Sequence, residues 1–155
     1  MNAPSKIEAA DASLYLTDFV GWSERQVELV RAKRFDEVDW DHIAEELQSM
    51  GASVYEAFES ALRVLLAHLL KWEHQPDFRS RSWYNTIHEQ HRQFMRRLEK
   101  NPSLKSRLEE ARTEAYRQAR VMANAETGLP LHTFPAEPPG WNVINNPPVE
   151  FEDIT

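Results

Sequence analysis

Four of the six histidines in this 155-residue chain fall in one stretch, HLLKWEHQPDFRSRSWYNTIHEQH, from His68 to His91. The same stretch carries Lys71, Arg79, Arg81 and two of the five tryptophans, Trp72 and Trp83. These residue types open three chemistries. The first is metal binding: His88 and His91 are three apart, so on a helix they share one face, and His68 stands on the preceding segment. Metal sites in helical bundles usually draw on a Glu-x-x-His pair, which does not occur here, so His68, His88 and His91 are candidate ligands but no metal or other cofactor is favoured. The second is acid–base catalysis. Glu46 leans toward the apolar side of its helix with His42 one turn away, and a buried, unpaired Glu46 would have the raised pKa of a general base. Its neighbour Glu45 points about 100° away and cannot face it as a carboxylate pair. The third is anion binding at the elbow, where Arg79, Arg81 and the serines Ser80 and Ser82 meet a helix N-terminus. Trp72 and Trp83 would flank that site, and Gln75 lies at the break itself. All these elbow residues also suffice to build a helical hairpin with no ligand.

Signature motifs narrow the choice. There is no Walker A loop, G-x-G-x-x-G, H-E-x-x-H, G-x-S-x-G or EF-hand loop. The chain has no cysteine, which excludes disulfides, a thiol nucleophile and cysteine-held zinc or iron–sulfur centres. The formal net charge is −7, which disfavours nucleic acid as a general partner. The charge is uneven, however: residues 71–107 hold nine Lys/Arg against four Asp/Glu. That segment is either neutralised by acidic neighbours within one bundle or presents a basic face to an anionic ligand or nucleic acid.

The elements that would position these groups are helical throughout. Glycine is scarce, at four residues, and no hairpin dipeptide occurs. Leu16, Phe19, Val27 and Val30 recur at helical spacing between Ser13 and Lys33, with Tyr15, Trp22 and Leu29 as a second stripe; together they predict a broad buried face, with the Tyr15/Trp22/Leu29 stripe as core or a dimer seam. Asp39 is placed to cap a short helix, Trp40 to Met50, with apolar Ile43, Leu47 and Met50 and with Gly51 as its left-handed stop. Ser53 and Glu56 match a capping box that opens a third helix, ending near His74 before Pro76. Phe58, Leu62, Leu65, Leu66 and Leu69 make this helix apolar enough to sit at the centre of a bundle. Ser80 or Ser82 restarts the chain as a fourth helix with Trp83, Ile87, His91, Phe94 and Leu98 on one stripe. Asn101-Pro102 predicts the start of a fifth, lined by Leu104, Leu108, Ala111, Ala115, Ala119 and Met122 and closed by Gly128 and Pro130. Residues 130–148 contain six of the nine prolines, which predicts an extended tail pinned by Phe134 and Trp141.

The expected architecture is therefore an all-α, single-domain bundle of about five main helices. Residues 1–12 form a flexible N-terminus, 13–129 the bundle, and 130–155 a Pro-rich tail packed on it. The N-terminus lacks a signal-peptide pattern and no apolar run approaches roughly 20 residues. A cytoplasmic protein with no membrane contact is the expectation.

The order LYLTDFVGW, EELQSMG, LLAHLLKWEHQPDFRSRSW, NPSL, AETGLPLHTFP resembles the bacterial family known as domain of unknown function twenty-nine, over residues 14 to 139. Gln75 and Pro76 stand where the HLLKW-x-x-QP-x-x-RS-x-SW block of that family has them. The resemblance implies an all-α fold and brings no activity, substrate or catalytic residue. Where the family pattern is similar to FP-x-x-CP, this chain has Phe134-Pro135-Ala136-Glu137-Pro138-Pro139, so Pro138 replaces the thiol. The functional expectation is a non-catalytic binding or adaptor module acting through the 68–91 hairpin end, with a protein or small anionic ligand as partner and a homo-oligomer allowed. The alternatives are a metal-assisted or acid–base enzyme using Glu46, His42, His68 and His91, and an anion or nucleic-acid binder using residues 71–107.

Overall fold

The computed structural model describes residues 13–154; the expected flexible segment 1–12 lies outside them. Every regular element among the described residues is helical, so the chain is all-α. It divides into two compact units, Met1–Ala52 and Ser53–Thr155.

In the first unit, α1 covers residues 13–17 and α2 runs Phe19–Arg31. The single helix expected from Ser13 to Lys33 is broken at Asp18, whose carboxylate accepts from the Gly21 backbone N–H at 3.0 Å and caps α2. A short acidic side chain that satisfies a backbone donor locally favours such a break. Lys33, at φ 59°, turns the chain out of α2. A 3-10 turn, Phe35–Glu37, then leads to α3, Trp40–His74. Asp39 stands at the head of α3 as expected, its Oδ1 accepting from the His42 backbone N–H at 3.4 Å. Trp22, Gln26, Leu29 and Val38 are buried, whereas Leu16, Phe19, Val27 and Val30 are exposed. The two stripes therefore do not make one buried face. A pair of short helices closes along one line of contact, and the stripe of Leu16, Phe19, Val27 and Val30 lies outside it.

α3 corrects a further expectation. Its 35 residues contain no stop at Gly51 and no new start at Ser53. Gly51 has no positive φ. Glycine costs about 1 kcal/mol in a helix interior, and the strong helix formers around it outweigh that. Among the described residues there are thus four long helices, because the second and third expected helices are one.

The second unit is organised by α3 residues 53–74. Phe58, Leu62, Leu65, Leu66 and Ala67 are essentially inaccessible, which fits the expected central position. α3 ends at His74, as Pro76 requires, and the chain makes a 3-10 turn, Pro76–Phe78. Ser80 rather than Ser82 caps α4, Arg81–Lys100, its Oγ accepting from the Trp83 N–H at 3.3 Å. Phe94 of α4 stacks on Phe58 with ring centroids 4.9 Å apart.

Asn101-Pro102 opens a 3-10 segment, Pro102–Arg107, and α5 begins only at Leu108 and runs to Thr127. The Asn101 side chain instead donates back to the Arg97 carbonyl at 3.0 Å, closing α4 rather than opening α5. Ala111, Ala115, Ala119 and Ala123 of α5 are fully buried; residues this small let a helix backbone approach the core closely. Gly128, at φ 72°, ends α5 in the left-handed conformation that a residue with a Cβ adopts at a cost.

The tail is less extended than its prolines predict. It contains two 3-10 turns, Leu131–Thr133 and Phe151–Asp153, and α6, Trp141–Asn145. Phe134, Ile144 and Val149 enter the core of the second unit. Tyr116 donates to the Pro135 carbonyl at 2.8 Å, and Arg120 donates to the Leu131 and Phe134 carbonyls, both at 3.2 Å. Trp141 is half-buried and donates to Glu109 at 2.5 Å.

Candidate functional site

The second unit contains a cavity of about 510 Å³ where the last turns of α3 meet the elbow, α5 and the tail. Leu66, Leu69 and Leu70 from α3 and Val143 and Val149 from the tail make its apolar surface. Trp72 and Arg79 form one wall, Tyr116 another, and Glu73 and Glu137 also line it. Arg79 is fixed by its own surroundings. Its Nε donates to the Trp72 carbonyl at 2.9 Å, and its guanidinium lies 5.1 Å from the Trp72 ring centre. Among the described residues its terminal nitrogens have no acceptor. Burial, with some help from the charges of Glu73 and Glu137, pushes the Tyr116 phenol above its ordinary value. Cavities of roughly 300–1,000 Å³ with mostly apolar walls and a few fixed polar groups are the usual form of a small-ligand site.

Two of the five elbow residues, Trp72 and Arg79, reach this cavity. The other three are engaged elsewhere in the same unit. Trp83 is half-buried under the Lys71 ammonium, 4.5 Å from its ring centre. Arg81 is exposed and lies 5.2 Å from the Phe151 ring centre. Gln75 donates to the Thr127 carbonyl at 3.4 Å, tying the elbow to the end of α5. Tyr116, Glu73, Glu137 and Val149 escaped sequence reasoning: Glu137 and Val149 because the tail has no periodicity to show which of its residues turn inward, Tyr116 and Glu73 because they lie beside, not on, the apolar stripes of α5 and α3.

The histidines do not converge. His68 Nδ1 meets the Val64 carbonyl at 3.0 Å within its own helix, and His88 is exposed with its ring 4.3 Å from that of Tyr84. His91 hydrogen-bonds the Asn145 backbone, and its Nε2 is buried without a partner. Burial holds both His68 and His91 below the usual imidazole pKa. Among the described residues no three His, Asp or Glu side chains are grouped to hold a metal ion.

In the first unit, Glu46 and His42, one turn apart, do not pair with each other, and each has another partner. Glu46 accepts from the Tyr15 hydroxyl at 2.6 Å, a bond that together with burial pushes the phenol up to about 12. His42 Nδ1 lies 2.7 Å from Asp39 Oδ2, which also accepts from Trp22 Nε1 at 3.1 Å. Tyr15 stacks on His42 at 4.0 Å. The cluster is a closed set of hydrogen bonds that joins α1, α2 and the start of α3.

Among the described residues, three of the nine basic residues of segment 71–107 are in ion pairs. Lys71 pairs with Glu126, Arg92 with Glu89 and Arg107 with Glu110, while Arg97 donates to Gln93.

The fold and the cavity define a small all-α protein with a ligand-sized apolar cleft, and among the described residues no helix is long and apolar enough to cross a membrane. The chain matches the family model "Domain of unknown function DUF29" over residues 14–143 and belongs to that family. No curated protein and no solved structure matches it.

Proposed function

We propose that the chain is a non-catalytic binding module whose second unit receives an apolar group with an anionic end in the cleft beside the elbow. The observation that carries this reading is the 510 Å³ cavity with Arg79 held in its wall. The leucine and valine side chains offer an apolar body a dry surface, and burying it gains about 25 cal/mol per Å². Arg79 is half-buried and oriented in advance by Trp72, so its free nitrogens are placed for a carboxylate, sulfonate or phosphate. Glu73 and Glu137 are exposed, and their opposing charges are screened by solvent. The ligand is a small amphipathic acid or an acidic, apolar segment of a partner protein.

Anilinonaphthalene sulfonate carries both features and serves as the probe. It is expected to bind saturably, with fluorescence excited by energy transfer from tryptophan. Arg79→Gln should weaken binding roughly tenfold, the scale of a charge-assisted hydrogen bond, and Leu69→Glu should abolish it at this site. Binding that is indifferent to both substitutions would remove the cleft from consideration.

A further inference from the structure

We infer that the ligand of the cleft in the second unit is an alkanoate, an unsubstituted hydrocarbon chain with one carboxylate, and not a segment of protein. This rests on the binding reading above and decides between the two ligands that reading allows. The deciding observation is that the backbone lining the cleft has almost no hydrogen bonds to offer. Three of the six tail residues that line it, Pro135, Pro139 and Pro148, have no N–H. Val143 and Val149 spend theirs inside the tail, on the Gly140 and Pro147 carbonyls at 3.0 and 2.9 Å. The sixth, Glu137, is exposed. On the opposite side, Leu66, Leu69 and Leu70 lie inside α3, where the helix uses their N–H groups. The carbonyls are engaged too: Trp72 accepts from Arg79 at 2.9 Å, Pro135 from Tyr116 at 2.8 Å and Pro139 from Arg112 at 3.5 Å.

An extended peptide brings a donor and an acceptor with every residue, and it docks by pairing them with a free backbone edge. This tail has no such edge, so each peptide group buried here would lose its water without replacement. A helical segment keeps its own backbone bonds. It is about 10 Å across, however, and a cavity of 510 Å³ holds roughly one turn of it, too little for the row of anchors by which helices dock. A hydrocarbon chain needs no hydrogen bond from these walls. Its carboxylate meets the terminal nitrogens of Arg79, and the carboxylates of Glu73 and Glu137, which also line the cleft, repel a second anionic group.

Calorimetric titration of the full chain with octanoate, decanoate and dodecanoate, each below its micelle concentration, tests this. Affinity is expected to rise roughly fourfold with each added methylene until the cleft is full, the gain for burying that group. The ω-hydroxy form of decanoate should bind about tenfold more weakly than decanoate, because its hydroxyl is left unpaired. Arg79→Gln should weaken decanoate roughly tenfold and leave methyl decanoate unchanged, since only the acid uses the guanidinium. A capped, leucine-rich peptide ending in glutamate should not bind. Peptide binding as tight as that of decanoate overturns the inference. So does an affinity that is flat with chain length, or alkanoate binding untouched by both Arg79→Gln and Leu69→Glu. In each of these cases the cleft remains a binding site if anilinonaphthalene sulfonate still depends on Leu69 and Arg79. If the sulfonate too is indifferent to both substitutions, the binding reading itself fails.

Discussion

Lys71 carries its ammonium into the interior of the second unit, where only 6% of the residue is exposed. Glu126 Oε2 at 2.5 Å and the face of Trp83 are what make this tolerable. Removing the acid leaves a buried charge without compensation, whereas removing the charge leaves a packed stem. Glu126→Ala should therefore lower stability by about 1–2 kcal/mol, less than the ~3–5 kcal/mol of a fully buried pair because the Glu126 side chain is 38% exposed. Lys71→Met should cost less, and urea unfolding would compare the two. His68 and His91 give the second test at this scale. Burial lowers both below 6.5 in the folded chain, so the unfolded chain takes up protons first as the pH falls. Their contribution is intact above 6.5 and is lost as the pH drops through the lowered folded values. Stability should fall between pH 7 and pH 5, and His68→Gln should flatten that slope. Loss from Glu89, Glu110 and Glu114, which their arginine partners hold low, sets in separately below 4.5.

At the scale of the element, helix ends were legible wherever local chemistry forces them. Pro76 ends α3, Ser80 caps α4 and Gly128 closes α5, each by a constraint acting within a few residues. Gly51 and Asn101 were misread because each has two local solutions. Glycine both terminates helices and survives inside them, and the choice at Gly51 rests on the summed preference of its neighbours. Asparagine caps either the helix it follows or the one it precedes, and Asn101 serves the former. The two glycines should respond in opposite directions to alanine. Gly51→Ala is expected to stabilise by up to about 1 kcal/mol, since nothing lies within 4 Å of the added Cβ. Gly128→Ala should destabilise by about 1 kcal/mol, because φ is positive there. Thermal unfolding of both variants would show whether α3 is unbroken, as a left-handed stop at Gly51 would reverse the first sign.

For the molecule as a whole, the tail is part of the core of the second unit. Phe134→Ala should cost about 3–5 kcal/mol, the usual penalty for emptying a buried aromatic position; its 1% exposure leaves no route to relax into solvent. A loss below 1 kcal/mol in urea unfolding would show that the tail is only laid over the surface. The sequence by itself determined the helical class, the central position of α3 residues 53–74, the hairpin break at Pro76 and the family. All of these follow from periodicity, local turn chemistry or a contiguous motif. Tertiary structure alone decided that Trp72 and Arg79 join Tyr116, Val143 and Val149 around one cavity, that Gln75, Arg81 and Trp83 go elsewhere, and that Glu46 meets Tyr15 rather than His42. Those partners are brought together by packing between segments far apart in the chain, and no spacing along the sequence encodes that distance.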